Sequence, residues 1–410
     1  MKRYFRFLLL IFSFSLIQAQ NVSPWKRIPQ SKIAYTESTR IKEKNALLYE
    51  LDEVSLKQSL APLQNAVSPI EIQIEIPNTA GDLETFKVRE FSNFEPDLQA
   101  QFPDIRSYTG VGLTDKNATV YFSLSPKGIQ TMVFRSDSAT EFIERFSGNQ
   151  SVYELFDSNS RNKEDLPLSC STKDVALSQQ LLSKSSSTSA NNGIYKTLRL
   201  ALACTAEYTT YFGGVSQALA AMNATLTRVN GIFNRDLAVH LNLIANNTIL
   251  IYTNATTDPY SPATSGANGA WNLELQNDLT SKIGNANYDI GHLFGASGGG
   301  GNAGCIGCVC QNPTSSNDFA KGSGYTSPAD GKPEGDTFDI DFVAHEMGHQ
   351  LGANHTFSHE IEGTGVNVEP GGGSTIMAYA GVTDYNVQSH SDDYFAYVSI
   401  AQIQNNLATK

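Results

Sequence analysis

The sequence predicts an α/β fold in which a β-rich first half precedes a second half of alternating strands and helices. The chain of 410 residues is 40% hydrophobic and 17% charged, so it can bury hydrophobic cores and is long enough for more than one domain. All 7 His and most of the 32 Gly follow Ile194, which marks an abrupt change in composition. The polar stretch at residues 183–193, SKSSSTSANNG, lies at this change and is typical of a flexible linker.

The N-terminal residues predict an export signal. Residues 1–19 begin with a basic segment, continue with an apolar run over residues 7–17 and end at the small residue Ala19. This run is too short to span a bilayer, so the pattern indicates a cleaved signal peptide rather than a membrane anchor. The predicted organisation is a signal peptide at 1–19, a β-rich domain at 20–182, a linker and activation region at 183–194, and a second domain at 195–410.

The charge balance argues against two classes of partner. The 29 Lys and Arg residues face 41 Asp and Glu residues, which gives a formal net charge of −12 at pH 7. Nucleic acids and anionic membranes attract basic patches, so this acidic chain is not expected to bind either of them. After the signal peptide no apolar run reaches the ~18 residues of a membrane span, and we expect a secreted, monomeric protein.

The first half is predicted to be mostly β-sheet. Residues 70–76, IEIQIEI, alternate apolar and polar side chains, as in a strand with one buried face. Residues 119–124 and 131–134 are rich in β-branched and aromatic side chains, and the turn signal SPKG at 125–128 separates them.

The second half alternates helical and strand patterns. Apolar residues recur at helical spacing over 215–233 and 271–283, and a short helix is expected near 398–407. Strands are predicted at 198–203, 239–243 and 288–294, and a further β region at 248–252.

Residues 345–355 read HEMGHQLGANH and form the strongest motif in the chain. His345 and His349 are four residues apart, so on a helix both rings point to one side. Gly352 can adopt the left-handed conformation that ends a helix, and the resulting turn can bring His355 back as a third ligand. Three His and one water make an open tetrahedral Zn²⁺ site, which is the arrangement of a catalytic zinc.

Glu346 directly follows the first of these ligands. Its carboxylate is placed to take a proton from water as the water attacks a peptide carbonyl, and to pass that proton to the leaving amine. The alternative, a helix that merely carries core or surface His, is disfavoured because five motif residues match at once.

A second element follows downstream, at residues 371–379, GGGSTIMAY. It places Met377 on a Gly-rich turn 22 residues after His355. Together with the extended zinc motif, this resembles the metzincin metallopeptidases, in which the long motif is followed by a Met-turn. The resemblance implies that Met377 is an apolar floor beneath the three His. It also implies a catalytic domain with a twisted, mostly parallel sheet and a zinc helix, preceded by a prodomain.

The domain order and the segment GGGGNAGCIGCVC resemble secreted reprolysin-like (adamalysin-like) peptidases, especially their bacterial branch. Thr356 follows the third His where adamalysins usually carry Asp. Tyr379 matches astacin-like and serralysin-like enzymes, where such a Tyr reaches the metal or the oxyanion, so it is either catalytic or a structural residue under the turn. The resemblance further implies that residues 304–309 are either an edge strand that pairs with substrate or an ordinary Gly-rich loop.

The cysteines divide into a group of four and a single one. Cys204, Cys305, Cys308 and Cys310 lie in the second half, where an exported protein can form two disulfides; all three pairings stay open. Cys170 precedes the linker, and its thiolate can occupy the open zinc position and keep the enzyme latent. Matrixins and many adamalysins have such a cysteine switch; the alternative is a buried free thiol.

The remaining candidate ligands are interpreted as structural. His240, His292, His359 and His390 are not needed once three ligands are assigned. Residues 334–341 and the pair Asp392 and Asp393 could bind Ca²⁺, but no loop of alternating oxygen ligands is visible. We expect these acidic residues to form solvated faces, with Asp336 or Thr337 as a cap of the zinc helix.

The sequence therefore predicts a secreted zinc endopeptidase, made as a zymogen, with peptide or protein substrates and its own prodomain as inhibitor. Two alternatives stay open: a non-catalytic exported binding module on the same scaffold, and a zinc hydrolase of another amide or ester. The intact Glu346 argues against the first alternative. A cleft built on an edge strand favours peptides over the second.

Overall fold

The computed structural model describes residues 23–29, 46–64, 66, 68–146, 151–160, 170–174 and 194–410. Within these ranges the strands form two sheets, which we call the N-terminal sheet and the C-terminal sheet. The mixed α/β class that the sequence predicts is confirmed. The predicted signal peptide and residues 183–193 of the predicted linker lie outside the described residues.

The N-terminal sheet is antiparallel at every pair of neighbouring strands that the structure describes. Its strands alternate buried apolar and exposed polar residues where one face meets solvent, as in FKVR of residues 86–89. The strands are β1 Trp25–Ile28, β2 Leu47–Leu51, β3 Ile72–Pro77, β4 Leu83–Glu90, β5 Arg106–Gly112, β6 Thr119–Ser125, β7 Gly128–Phe134, β8 Glu141–Arg145 and β9 Val152–Asp157. They lie in the order β1-β2-β9-β8-β7-β6-β5-β4-β3.

The C-terminal sheet is mixed. Its strands are β10 Lys196–Cys204, β11 Val239–Leu243, β12 Ile290–Phe294, β13 Gly300–Asn302 and β14 Gly324–Ser327, in the order β11-β10-β12-β14-β13. Strands β11, β10, β12 and β14 are parallel to one another, and β13 pairs antiparallel with β14 at one edge. Every residue of β12 is buried, which agrees with a central parallel strand covered on both faces.

Helices connect and cover the strands. The α-helices are α1 Glu53–Leu60, α2 Pro96–Gln101, α3 Ala206–Phe212, α4 Val215–Ile232, α5 Trp271–Lys282, α6 His345–Leu351 and α7 Tyr397–Leu407, with a single helical turn at Ala263–Ser265. Shorter segments are 3₁₀-helical at Ala61–Leu63, Ser158–Ser160 and Asn247–Leu250, and π-helical at Phe233–Leu237, Gly266–Ala270 and Thr337–Ala344. Among the described residues, no helix has both the length and the apolar character that crossing a membrane requires.

Helix α4 joins the two sheets, because it contacts β5, β6 and β7 on one side and β11 on the other. Three buried polar residues of this helix, Asn223, Thr227 and Asn230, make hydrogen bonds across this contact. The Asn93 side-chain amide donates to Asn223 Oδ1 (3.1 Å) and Thr227 Oγ1 (2.9 Å), and Asn230 donates to Asn93 Oδ1 (2.9 Å). The N-terminal sheet is therefore packed onto the C-terminal half through a specific polar and apolar interface.

A buried ion cluster lies in the same interface. Arg228 of α4 is 1% exposed, and its Nη1 atom lies 2.6 Å from Glu144 Oε1 of β8 and 3.1 Å from Asp339 Oδ2. Burial raises the pKa of Asp339 to about 7, with Arg228 opposing the shift. Burial and the neighbouring Glu144 and Asp336 raise the pKa of Glu154 to about 8. One guanidinium thus holds carboxylates from both halves of the chain.

Segments from the N-terminal half cover both outer strands of the C-terminal sheet. At one edge, Leu243 of β11 donates its N–H to the carbonyl of Asn93 (2.7 Å), and its own carbonyl accepts from the N–H of Glu95 (2.9 Å). At the other edge, Cys170 forms a parallel bridge with Gly301 of β13. Each outer strand is therefore paired at one point in the intact chain.

Most predicted elements are confirmed, and two are displaced or wrong. The predicted strands at 119–124, 131–134, 198–203, 239–243 and 288–294 and helices at 215–233, 271–283 and 398–407 match β6, β7, β10, β11, β12, α4, α5 and α7 within a few residues. The strand predicted at 70–76 begins two residues later.

The β region predicted at 248–252 is wrong. The 3₁₀ turn Asn247–Leu250 takes its place, and Ile251 makes one isolated bridge to Cys204. The Asn247 side chain explains the difference, because its Oδ1 accepts from the N–H of Leu202 and its Nδ2 donates to the carbonyl of Leu202 (both 2.9 Å). A side chain thus replaces the backbone pairing that a further strand would supply.

Candidate active site

Helix α6 carries the first two predicted ligands. His345 and His349 lie on one side of it and are fully buried. The helix ends at Gly352, which has a φ of 125° and donates its N–H to the carbonyls of Gly348 (3.1 Å) and His349 (2.9 Å). Residues with a side chain rarely adopt this φ, so Gly352 permits the turn that returns the chain towards the helix.

The turn returns His355 to the other two rings. His349 Nε2 lies 3.2 Å from His345 Nε2 and 3.0 Å from His355 Nε2. His345 Nδ1 contacts the carbonyl of Ile376 (2.6 Å), and His349 Nδ1 contacts that of Ala353 (2.7 Å). A carbonyl can only accept, so both Nδ1 atoms carry the proton and both Nε2 lone pairs face the centre.

This arrangement fits a bound metal ion. Zinc bonds of 2.0–2.1 Å in a tetrahedron place two ligand nitrogens about 3.3 Å apart, close to the spacing of these rings. Burial, with His355 and His345 nearby, lowers the pKa of His349 well below its usual value, so its ring is neutral as a ligand must be. Cys170 Sγ joins the three rings in a group whose ligand atoms all lie within 4.8 Å of one another.

Met377 packs beneath α6. It is fully buried, and a Cβ atom placed on Gly348 would lie only 2.6 Å from its Sδ atom. The absence of a side chain at Gly348 therefore lets the thioether approach the helix between the two ligand residues.

Glu346 lies beside the histidine cluster and is fully buried. Burial raises the pKa of its carboxyl group to about 7. Its Oε2 atom accepts a hydrogen bond from Thr172 Oγ1 (3.1 Å), whereas its buried Oε1 atom makes none within the described chain. A Cβ atom on Gly301 would lie 2.2 Å from Oε1, so Gly301 makes room for this carboxylate.

Residues 170–174 lie across the histidines, and we call them the covering segment. Cys170 Sγ is 3.7 Å from His349 Nε2, and the carbonyl of Cys170 accepts a hydrogen bond from the Tyr379 hydroxyl (3.4 Å). The next residue, Ser171, donates its N–H to the carbonyl of Gly301 (2.9 Å). The covering segment is therefore extended along β13, with its thiol turned towards the ring nitrogens.

The covering segment also contacts the outer nitrogen of the third ligand. His355 Nδ1 lies 3.1 Å from Asp174 Oδ1 and 3.3 Å from Glu362 Oε2. The Asp174 carboxylate in addition accepts the backbone N–H of His355 (3.2 and 3.3 Å). Two carboxylates favour a proton on Nδ1 and leave Nε2 free to bind a metal.

Of the two alternatives for residues 304–309, the Gly-rich loop is confirmed, and the edge strand lies upstream. Residues 304–309 form turns that contain the Cys305–Cys308 disulfide, and β13, which pairs with the covering segment, is Gly300–Asn302. Both stretches are Gly-rich, and Gly has no side chain whose alternation would distinguish a strand from a turn.

The structure has one disulfide among the described residues, not the predicted two. Cys204 and Cys310 are free thiols. Cys204 ends β10 next to Phe294, whereas the N–H of Cys310 binds the carbonyl of Asp289, just before β12 begins. Because β10 and β12 are parallel neighbours, these two cysteines lie at opposite ends of the sheet and cannot meet.

The acidic residues at 334–341 do not form the solvated face that the sequence predicts. Asp336, Asp339 and Asp341 are buried, and Asp341 Oδ1 accepts the N–H of Ser391 (3.1 Å). Neither Asp336 nor Thr337 caps α6, because the π-helical segment Thr337–Ala344 precedes it and Ala344 is the residue before its first turn. Asp393 is also buried. Within the described ranges, the groups that could hold a metal ion include none of these residues, so the proposed Ca²⁺ site gains no support.

The other histidines lie outside the cluster, and two of them have defined structural partners. His292 is buried between Gln350 Oε1 and Thr326 Oγ1, both 2.8 Å away, and His240 Nε2 lies 3.1 Å from the carbonyl of Ser92. Neither these two nor His359 and His390 belong to a group that could bind metal in the described part of the chain.

Several residues at the site were not among those predicted from the sequence. Thr172, Asp174, Glu362 and Gly301 contact Glu346 or His355. Gly301 lies in the segment GGGGNAGCIGCVC but was assigned no role, and the other three belong to no motif. Thr172 and Asp174 follow Cys170 by two and four residues, which is the period of an extended strand. That spacing is the signal that could have indicated them.

Comparison with known proteins agrees with this site. The sequence model of the metallopeptidase family M12B, reprolysin-like, matches residues 194–407, which is more than half of the chain and includes the three histidines. A search of curated proteins finds no match. Membership of this family supports the assignment as a zinc metallopeptidase, and the histidine group could bind the metal. The chain therefore belongs to the reprolysin-like metallopeptidases of family M12B.

Proposed function

We propose that this protein is a secreted zinc endopeptidase that is made as a zymogen. One observation carries the proposal: three buried imidazoles direct their Nε2 atoms to one point, 3.0 and 3.2 Å apart, beside the buried carboxylate of Glu346. His345, His349 and His355 would hold the ion. Zinc, when bound there, supplies a Lewis acid that polarises the scissile carbonyl and acidifies water.

Residues of the chain itself transfer the proton and leave room for the reaction. Glu346 Oε1 makes no hydrogen bond within the described chain, so it is the atom available to accept a proton from water. A carboxyl whose pKa burial raises to about 7 accepts that proton readily and returns it to the leaving amine. Gly301, which has no side chain, keeps the space beside Glu346 open.

The contacts of the covering segment support a peptide substrate. Ser171 pairs with the carbonyl of Gly301 through its backbone, and the side-chain amide of Asn302 donates to Ser171 Oγ (2.8 Å). An extended chain thus already fits along β13 in this structure. Backbone pairing of this kind tolerates many sequences, as a peptidase with several substrates requires.

The direct test is cleavage of denatured casein by the full-length protein after limited trypsin treatment, which should cut the linker at Lys184. Trypsin is inhibited before casein is added. We expect proteolysis that a chelator abolishes and added zinc restores. A folded, zinc-loaded protein that cleaves no peptide would support the binding-module alternative, and cleavage of ester or other amide substrates alone would support the other hydrolase.

We further propose that the covering segment keeps the enzyme latent through three contacts. The Cys170 thiol lies 3.7 Å from His349 Nε2 and can take the open position at the metal. The Thr172 hydroxyl donates to Glu346 Oε2 (3.1 Å) and accepts the N–H of Ala303 (2.8 Å). It therefore binds the proposed general base and the backbone directly after β13 at the same time. Asp174 anchors the segment at His355.

Replacing Cys170 by Ala is expected to raise the activity of the uncut full-length protein by about tenfold or more. Apparent activity scales with the fraction of molecules whose site is open, and the substitution removes the group that competes at the metal. Casein cleavage before trypsin treatment measures the change. Cys310→Ala, another free thiol, is the matched control and should leave the uncut protein latent. If Cys170→Ala remains latent and the double variant Cys170→Ala, Thr172→Val does not, latency depends on the Thr172 contact instead.

Tyr379 is proposed to donate a hydrogen bond to the carbonyl under attack. Its hydroxyl already donates to the Cys170 carbonyl of a chain lying in the cleft, and burial raises its pKa, which keeps it protonated. Tyr379→Phe should lower kcat by about 10²-fold with little change in KM, measured on a peptide substrate after linker cleavage. The exposed Tyr385, changed to Phe, is the control. If kcat were unchanged in Tyr379→Phe, the Tyr379 ring would have only a packing role.

A further inference from the structure

A carboxylate outside the zinc motif joins two loops beneath the histidines. Glu369 Oε1 accepts the backbone N–H groups of Ser374 (2.9 Å) and Thr375 (3.0 Å). Its Oε2 atom accepts the hydroxyls of Thr375 (2.6 Å) and Thr356. Four donors converge on one side chain, and bonds to an ionised acceptor are stronger than bonds between neutral groups.

One of these loops contains the third ligand. Thr356 directly follows His355, and its N–H donates to the carbonyl of Met377 (3.1 Å). The carbonyl of Thr356 accepts the N–H of Glu369 (2.9 Å). Thr356 is thus bound to Glu369 through both its backbone and its side chain, and the position of His355 depends on this connection.

The other loop orients the first ligand. His345 Nδ1 contacts the carbonyl of Ile376 (2.6 Å), and Ile376 follows the two residues whose N–H groups Glu369 accepts. A shift of this loop would move the carbonyl that fixes the tautomer and the ring plane of His345. Glu369 is therefore connected to two of the three ligands, to His355 through Thr356 and to His345 through the loop that contains Ile376.

We propose that Glu369 is a positioning residue that holds His345 and His355 in the geometry of the metal site; this inference rests on the proposed zinc-peptidase function. None of its hydrogen bonds reaches a histidine ring, and it acts through Thr356 and the loop that carries Ile376. Removing its carboxylate leaves four donors without their acceptor, so both loops relax.

The test measures zinc affinity of the full-length protein by competition with a chelator. Glu369→Ala should weaken zinc binding by about 10- to 100-fold, which is the usual cost of losing an outer partner of a metal ligand. The cobalt-substituted protein should also show a changed visible spectrum, since that spectrum reports coordination geometry. Asp318→Ala is the matched control, because Asp318 accepts the N–H and hydroxyl groups of Thr314 and Ser315 in a separate loop.

Separate outcomes distinguish this inference from the proposed function. A wild-type protein that binds no zinc, or binds it as well after His349→Ala, would overturn the proposed function itself. If the wild-type protein binds zinc and Glu369→Ala has the same zinc affinity and the same cobalt spectrum, only the role of Glu369 is overturned. Should Glu369→Ala not fold, Glu369→Gln decides, because it fills the same volume with one fewer acceptor and is expected to show a smaller loss of affinity.

Discussion

Replacing Glu346 by Gln is expected to lower kcat/KM for peptide hydrolysis by about 10²- to 10⁴-fold, the usual contribution of a general base. The amide fills the same buried space next to Gly301 but cannot accept the proton. The measurement uses full-length protein whose linker has been cut. Zinc content should stay at the wild-type level, because Glu346 does not belong to the group of ligand atoms that Cys170 and the three His form.

The control for this substitution is Glu360→Gln. Glu360 is an exposed carboxylate five residues after His355, so the same chemical change is made near the site without touching the buried carboxylate. Its activity should match that of the wild type. If Glu346→Gln retained wild-type rates with full zinc content, another group would have to move the proton, and the assignment of Glu346 would fail.

The largest expected effect on stability comes from Arg228→Met, which should cost about 3–5 kcal/mol. The substitution keeps an apolar stem but leaves Glu144 and Asp339 buried without their cation. Chemical denaturation of the full-length protein measures the change. Arg199→Met is the control, since the ion pair of Arg199 with Asp289 is partly exposed and worth about 1 kcal/mol or less. Equal losses in both variants would contradict the role of the buried cluster.

The loss in Arg228→Met should also depend on pH. Asp339 has a folded-state pKa of about 7, above its ordinary value of 3.8, and Arg228 opposes this rise. Groups raised in this way favour folding below the ordinary pKa and lose that contribution as pH rises through the folded value. The variant should therefore be closer to wild-type stability at pH 5 than at pH 8.5, and a loss independent of pH would contradict the electrostatic cause.

The metal site was predictable from sequence because its determinants are local. His345, Glu346 and His349 share one helix, and Gly352 sets the turn that returns His355, so spacing alone brings them together. Helix α4 and strand β10 were predictable for the same reason, since their periodic apolar residues meet the core directly.

Contacts between distant parts of the chain could not be predicted in this way. Cys170 and His349 are 179 residues apart, so no spacing relates them. The approach of this thiol to the metal position was expected only as one of two alternatives, from the place of Cys170 before the linker and from the resemblance to enzymes with a cysteine switch. Glu369 shows the same limit, because its four donors come from two loops that lack secondary structure. Nor could the position of β13 be distinguished from the nearby Gly-rich turns, since Gly carries no hydrophobic pattern.

The pairing of both outer strands of the C-terminal sheet has a consequence for solubility. A strand without a neighbour presents free N–H and C=O groups that another chain can pair with, which promotes aggregation. Complete departure of the N-terminal half would uncover Leu243 of β11 as well as β13. In the function we propose, only β13 needs a free edge, because a substrate would pair with it. Release of the covering segment alone, with Asn93 and Glu95 still bound to β11, would open the cleft while the opposite side stays protected from self-association.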